Sequence, residues 1–329
     1  MYCFYLVLLL NNNFYFLFLL LSCGSGQQAA SSGSPGTAVS NSLIELGRSA
    51  ENVFYSFMTL ISDTLGFTAK STTKKEDVGK YFTALGKKLG EASEELEQVA
   101  VKSTADVDKN DASKNSIRVA IDAAKTILIT LKGYLDSLKG TGDANKVGEA
   151  ATNAAGTAAA DAELKAFFKA LKGIVDTATT EGVAKPKAGD IAVKVGNGTD
   201  NKDGAKILGT DLAATAGDSS KAAILSTVSD EEMLASIVAS KEGDAALVAN
   251  ATAQTSAISF AKGGNAAHLA GADAQGGQGE VQAVGVAAVN KLLVAVEDIV
   301  KKTVKNVLKT AKEKIDKARA PKSAGQQIR

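Results

Sequence analysis

The apolar residues Val78, Phe82, Leu85, Leu89, Ala92, Leu96 and Val99 step along the chain by 4, 3, 4, 3, 4 and 3. Ile117, Ile121, Ala124, Leu128, Leu131, Leu135 and Leu138 then repeat the rhythm. Alternating steps of three and four draw one stripe down a helix, and such a stripe is buried best against another helix. Each segment predicts a helix of roughly 25 residues, ~38 Å long at 1.5 Å per residue. The pair predicts an elongated object rather than a ball. KSTADVDKNDASKN, residues 102–115, is the polar turn expected between them.

The same reading extends outward. Ser42 and Glu45 have capping-box spacing ahead of an apolar face formed by Leu43, Leu46, Ala50, Val53, Phe57 and Leu60, and Gly66 is its expected stop. An Ala-rich stretch, residues 147–161, leads into the face of Leu164, Phe167, Phe168, Leu171, Ile174 and Val175. Residues 180–227 lose the period and predict loops with short helices. Ser229-Asp-Glu-Glu232 signals a new helix start, with Met233, Leu234, Ile237 and Val238 as its face. A further helix is expected over Asp244–Ala261, and the Gly-rich residues 262–279 are expected to be a loop. A long final helix spans Val281–Ala320 and closes at Pro321. The apolar stripes are core packing, and nothing in them suggests a cofactor site.

Composition supports an all-α chain. Only three prolines occur in 329 residues, so long helices escape their commonest breaker. Aromatic residues are 5% and tryptophan is absent. Formal net charge is +1, which gives no global field toward nucleic acid, and no recognition module is visible. One histidine and two cysteines, Cys3 and Cys23, exclude a Cys/His metal site, which needs three or four ligands. A Ser-His-Asp triad would have to use His268, which sits in GGNAAHLAGADAQGG and is expected to be a solvated position. Gly196-Asn197-Gly198 lacks the Lys-Ser/Thr of a phosphate loop. No enzyme, cofactor or metal is expected.

Residues 1–22 carry no charge, and Phe14–Leu21 is an unbroken apolar octet. Asn11, Asn12 and Asn13 interrupt the segment, so it is too short to span a bilayer and reads as an export signal. Leu20-Leu21-Ser22-Cys23 resembles the bacterial lipobox. The resemblance implies cleavage after Ser22, a diacylglycerol on the Cys23 thiol and an acyl group on the new amine. One acyl chain holds weakly at ~0.8 kcal/mol per buried CH₂, whereas two or three hold firmly. Gly, Ser and Gln follow as a leash, and Cys23 to Ser40 reaches ~20–25 Å. Export signals normally begin with Lys or Arg; the neutral leader here implies either a start upstream of Met1 or a lineage that tolerates it.

Charge is uneven at the other end. Residues 301–322 hold nine Lys/Arg against two acids. Lys301, Lys302, Lys305, Lys309 and Lys312 are the candidate polyanion-binding residues; the plainer reading is a solvated helix face near the anchor, which anionic headgroups would also favour.

LLSCGSGQQ, NSLIELGRSAENVFYSFMTLISDTLGF, KKEDVGKYFTALGKKLGEASEELEQVA and the closing VAAVNKLLVAVEDIVKKTVKNVLKTAKEKIDKARAP resemble the variable large protein family of relapsing-fever Borrelia, related to the Vls variable surface lipoprotein. The likeness covers nearly the whole chain. It implies an elongated all-α bundle with long N- and C-terminal helices near the membrane and irregular variable loops at the distal end. It also implies a lipid-anchored antigen of the outer membrane surface, exchanged by gene conversion so that host antibody is defeated, without catalysis. The organisation expected is a signal peptide (1–22), a lipid tether (23–39), one helical antigen domain (40–321) and a tail (322–329). Within the domain, 180–228 and 262–279 are the regions expected to vary, because surface loops tolerate substitution within ~0.5 kcal/mol. The alternative is an adhesin that binds host glycosaminoglycan through the lysines above. A homodimer through an exposed heptad seam is left open. In such a lipoprotein, the acceptor patterns at Asn197 and Asn250 are chance.

Overall fold

The computed structural model describes residues 66–104, 112–149, 159–187, 228–246, 256–262 and 278–319. Its order is α1 (Lys75–Thr104), α2 (Ala112–Asp136), α3 (Asp161–Thr180), α4 (Asp230–Val238), α5 (Ala257–Lys262) and α6 (Gln278–Arg319). Among the described residues there is no strand, only an isolated bridge between Lys74 and Lys146. The all-α expectation holds.

Helix α2 is the centre of the bundle. It packs against α1, α3 and α6, while the short α4 lies on α3 and α6. Its whole predicted stripe, from Ile117 to Leu135, is buried, as is Leu138 just beyond its end. On α1 the stripe from Val78 to Leu96 is buried too, and one core joins both to Leu171, Ile174 and Val175 of α3 and to Leu293, Val296, Val300 and Val304 of α6. A second, smaller cluster gathers Val228, Met233 and Val284.

Three glycines sit inside α1, where each normally weakens a helix by roughly 0.5–1 kcal/mol relative to alanine. They serve a close approach. A β-carbon on Gly79 would stand 2.7 Å from the Thr141 carbonyl oxygen, and one on Gly86 would stand 2.9 Å from Asp136 Oδ1. Gly90 likewise faces the Lys132 side chain. The pair is also stapled by charge. Arg118 of α2 grips Glu97 of α1 with two N–H groups at 2.8 and 3.0 Å and Asp122 at 3.0 Å, and Lys125 also bonds Glu97. Lys125 first, then Arg118, hold the Glu97 carboxyl below its usual range. Its contribution is therefore complete above the ordinary carboxylate pKa and fades as pH falls through the lowered value.

Helix boundaries follow local chemistry. Ser229 caps α4 with a full capping box: its hydroxyl accepts the Glu232 N–H, and the Glu232 carboxylate accepts the Ser229 N–H at 2.7 Å. At the end of α3, Gly182 has φ +80°, and the N–H groups of Gly182 and Val183 return to the carbonyls of Thr179 and Ala178. That pairing satisfies the last carbonyls and stops the helix.

Some boundaries differ from the sequence expectation. The turn after α1 is shorter than residues 102–115, because α1 continues to Thr104 and α2 starts at Ala112. Asp244–Ala261 is not one helix. Asp244 closes a turn by accepting the Lys241 N–H at 2.9 Å while its own N–H bonds the Lys241 carbonyl; among the described residues of this stretch, helix covers Ala257–Lys262. Gln278 and Gly279 belong to α6 rather than to the preceding loop. The face beginning at Leu43 and most of both expected variable regions lie outside the described residues. Gly66 has φ +86°, a conformation suited to the helix stop expected there.

Candidate surface site on the last helix

At 1.5 Å per residue, the 42-residue α6 is ~63 Å long. Its inner stripe of Val300, Val304, Val307, Leu308, Ala311 and Ile315 is buried. With that stripe fixed, the 100° turn per residue puts Lys301, Lys302, Lys305, Lys309 and Lys312 together on one outward face. The structure thus gathers the five sequence-predicted lysines.

It also supplies partners that a count over 301–322 omits. Glu297 and Asp298 stand one turn upstream, 3.7 Å from Lys301 and 2.8 Å from Lys302. Downstream, Lys309 lies 3.8 Å from Glu313 and Lys312 lies 2.9 Å from Asp316. All four are i,i+4 pairs, the spacing at which side chains meet on a helix surface. Asp298 holds the Lys302 ammonium above its ordinary pKa. Among the described residues only Lys305 of the five has no carboxylate within ion-pair distance. Taken alone, these five ammoniums and their four carboxylate partners sum to +1. A polyanion would have to compete with the pairs already made, and each released phosphate or sulfate counterion requires a free cation. Heparin-column retention is accordingly expected to vanish near physiological ionic strength, ~0.15 M. Retention well above that, lost when Lys301, Lys302, Lys305 and Lys309 become alanine, would support the glycan reading.

Beside this face a cleft of about 630 Å³ opens between the end of α3, the start of α4 and α6. Leu234, Ala295 and Ile299 form its apolar wall, and Asp230, Glu231, Asp298 and Lys302 its charged groups. Those groups are engaged. Glu231 accepts the Lys187 N–H at 2.9 Å, Asp230 faces Lys291 at 4.0 Å, and Asp298 pairs with Lys302. The lining includes no Cys or His. Among the described residues no group of His, Cys, Asp and Glu could hold a metal ion, and no helix is long and apolar enough to cross a membrane. Cys23, the other predicted site residue, and His268 lie outside the described residues.

What sequence reasoning missed is on the first half of α6. Gln282, Asn290 and Glu297 read as ordinary polar positions, yet each reaches residues more than a hundred places away. Glu297 is buried at 6% exposure and accepts the Tyr81 hydroxyl.

Comparison with known proteins places this architecture. The chain is 57% identical to variable large protein 21 of Borrelia hermsii over 338 aligned positions, covering 93% of each. It is 56% identical to variable large protein 25 of the same organism, and 27% identical to variable large protein 12 over 87% of this chain. The crystal structure of the Lyme disease variable surface antigen VlsE of Borrelia burgdorferi superposes with a TM-score of 0.61, covering 84% of this chain and 98% of that one at 24% identity, which shows a shared fold. The model of the Borrelia lipoprotein family matches residues 50–277 and 259–315. Since that match spans most of the chain, the protein belongs to the Borrelia lipoprotein family that includes the variable large proteins.

Proposed function

We propose that the chain is an outer-surface antigen, lipid-anchored at Cys23 after cleavage behind Ser22, that evades host antibody by differing in sequence from its relatives. It acts by display rather than by catalysis. One observation carries this reading: relatives of similar length within one organism run from 57% down to 27% identity. A scaffold makes such divergence physically tolerable. The buried stripes of α1, α2 and α6 hold the fold, and exposed positions change at little cost in stability. Residues 180–228 and 262–279 are where we place most of the change.

Two measurements test it together. Mass spectrometry of the mature N-terminus should find Cys23 acylated, and Cys23→Ala should abolish both acyl labelling and cleavage of the chain by protease added to intact cells. Sera raised against this chain should bind cells displaying it and fail on cells displaying variable large protein 12. A bare thiol at Cys23, or sera that bind both cell types equally, would overturn the proposal.

A further inference from the structure

Residues 66–73 form neither helix nor ladder, yet they are held along α6 by three of its side chains. Glu297 Oε1 accepts the Gly66 N–H at 3.3 Å. Asn290 grips Ala69 at both ends, accepting its N–H at 2.7 Å and donating to its carbonyl at 3.0 Å. Gln282 Nε2 donates to the Ser71 carbonyl at 2.9 Å and to the Val147 carbonyl at 3.3 Å. As the strap advances from 66 to 71, the grips retreat from 297 to 282, so the strap runs antiparallel to the helix. The three α6 residues are spaced by eight and seven, which returns them to one face every two turns.

The nature of the grip matters. Apart from the one to Val147, each of these bonds is made to strap backbone, so the strap side chains are free of this recognition. The apolar hold is small. Phe67 is only partly buried against the core and stacks on Tyr81 at 5.1 Å, and Ala69 is buried. By contrast α1, α2, α3 and α6 share a continuous core of large side chains. Segments with few buried apolar contacts open at lower free energy than the core beside them.

We propose that Gly66–Thr73 is a releasable strap, lifting from α6 as a unit while the helices stay packed. Gly66 and Ala69 are three residues apart, ~10 Å at full extension, and their grips at 297 and 290 lie about that far apart along the helix, so the strap is already extended and release frees it to move without lengthening it. For a tethered antigen, which is the reading given above, release loosens the chain over residues 66–73. The opening itself does not depend on that reading, because it is a property of the fold and needs no lipid.

Hydrogen–deuterium exchange of the full chain in detergent separates the possibilities. The Gly66 and Ala69 amides should exchange at least ~100-fold faster than those of Leu128 and Leu131, because sub-global opening precedes global unfolding. Asn290→Ala removes two grips and should speed exchange in 66–73 by about 10- to 100-fold, with α2 unchanged. Gln282→Ala, at the far end of the strap, should act the same way by about 10-fold and serves where Asn290→Ala fails to fold. Strap amides that exchange in step with α2, or a substitution that accelerates both alike, would overturn the proposal.

Discussion

Leu131→Ala is expected to lower the unfolding free energy by about 2–5 kcal/mol, the range for deleting a fully buried leucine side chain. Leu131 is 0% exposed and sits on α2, the helix that touches α1, α3 and α6. Three neighbours limit how far the surroundings can close over the void, which puts the cost toward the upper part of that range. The measurement is urea denaturation, read as a fall in midpoint at unchanged slope. Ile129 lies two residues away on the same helix but is 53% exposed. Ile129→Ala should therefore stay within about 0.5 kcal/mol of the parent. Equal losses at the two positions would mean that α2 is not central to the bundle.

That contrast was legible in the sequence, since Leu131 lies on the 4-3 stripe and Ile129 lies off it. The stripes succeed because burial in helix pairs is periodic, and periodicity is local. What escaped has the opposite character. Gly79, Gly86 and Gly90 look like weaknesses in a helix until α2 and the turn beyond its end are seen packed where their side chains would be. Asn290 and Ala69 are 221 residues apart, and no pattern along the chain marks their bond. The excess of lysine over 301–322 is legible by counting, but its pairing is not, because a window opened at Lys301 leaves out the carboxylates of Glu297 and Asp298 one turn earlier. Ion pairing on a helix is set by i,i+4 geometry and ignores window edges.

Glu297→Ala is the second large effect expected, about 2–4 kcal/mol from the two donors left without an acceptor. One oxygen of Glu297 accepts both the Tyr81 hydroxyl of α1 and the Gly66 N–H of the strap. The other faces Lys301, which at 35% side-chain exposure can turn to water when its partner is lost. Glu297→Gln keeps an acceptor oxygen and should cost distinctly less, whereas similar losses in the two variants would assign the effect to charge rather than to the orphaned donors. Tyr81 gives an independent check by pH. Burial first, then the bond to Glu297, hold the phenol neutral and raise its pKa. A raised phenol pKa contributes stability that is complete below the unfolded value of about 10 and is lost as pH climbs above it toward the folded value. The parent should accordingly weaken steeply above about pH 10, and Tyr81→Phe, with no phenol to ionise, should flatten that alkaline limb while losing some stability at neutral pH. An alkaline limb unchanged by Tyr81→Phe would remove the Tyr81–Glu297 pair as the junction between α1, α6 and the strap.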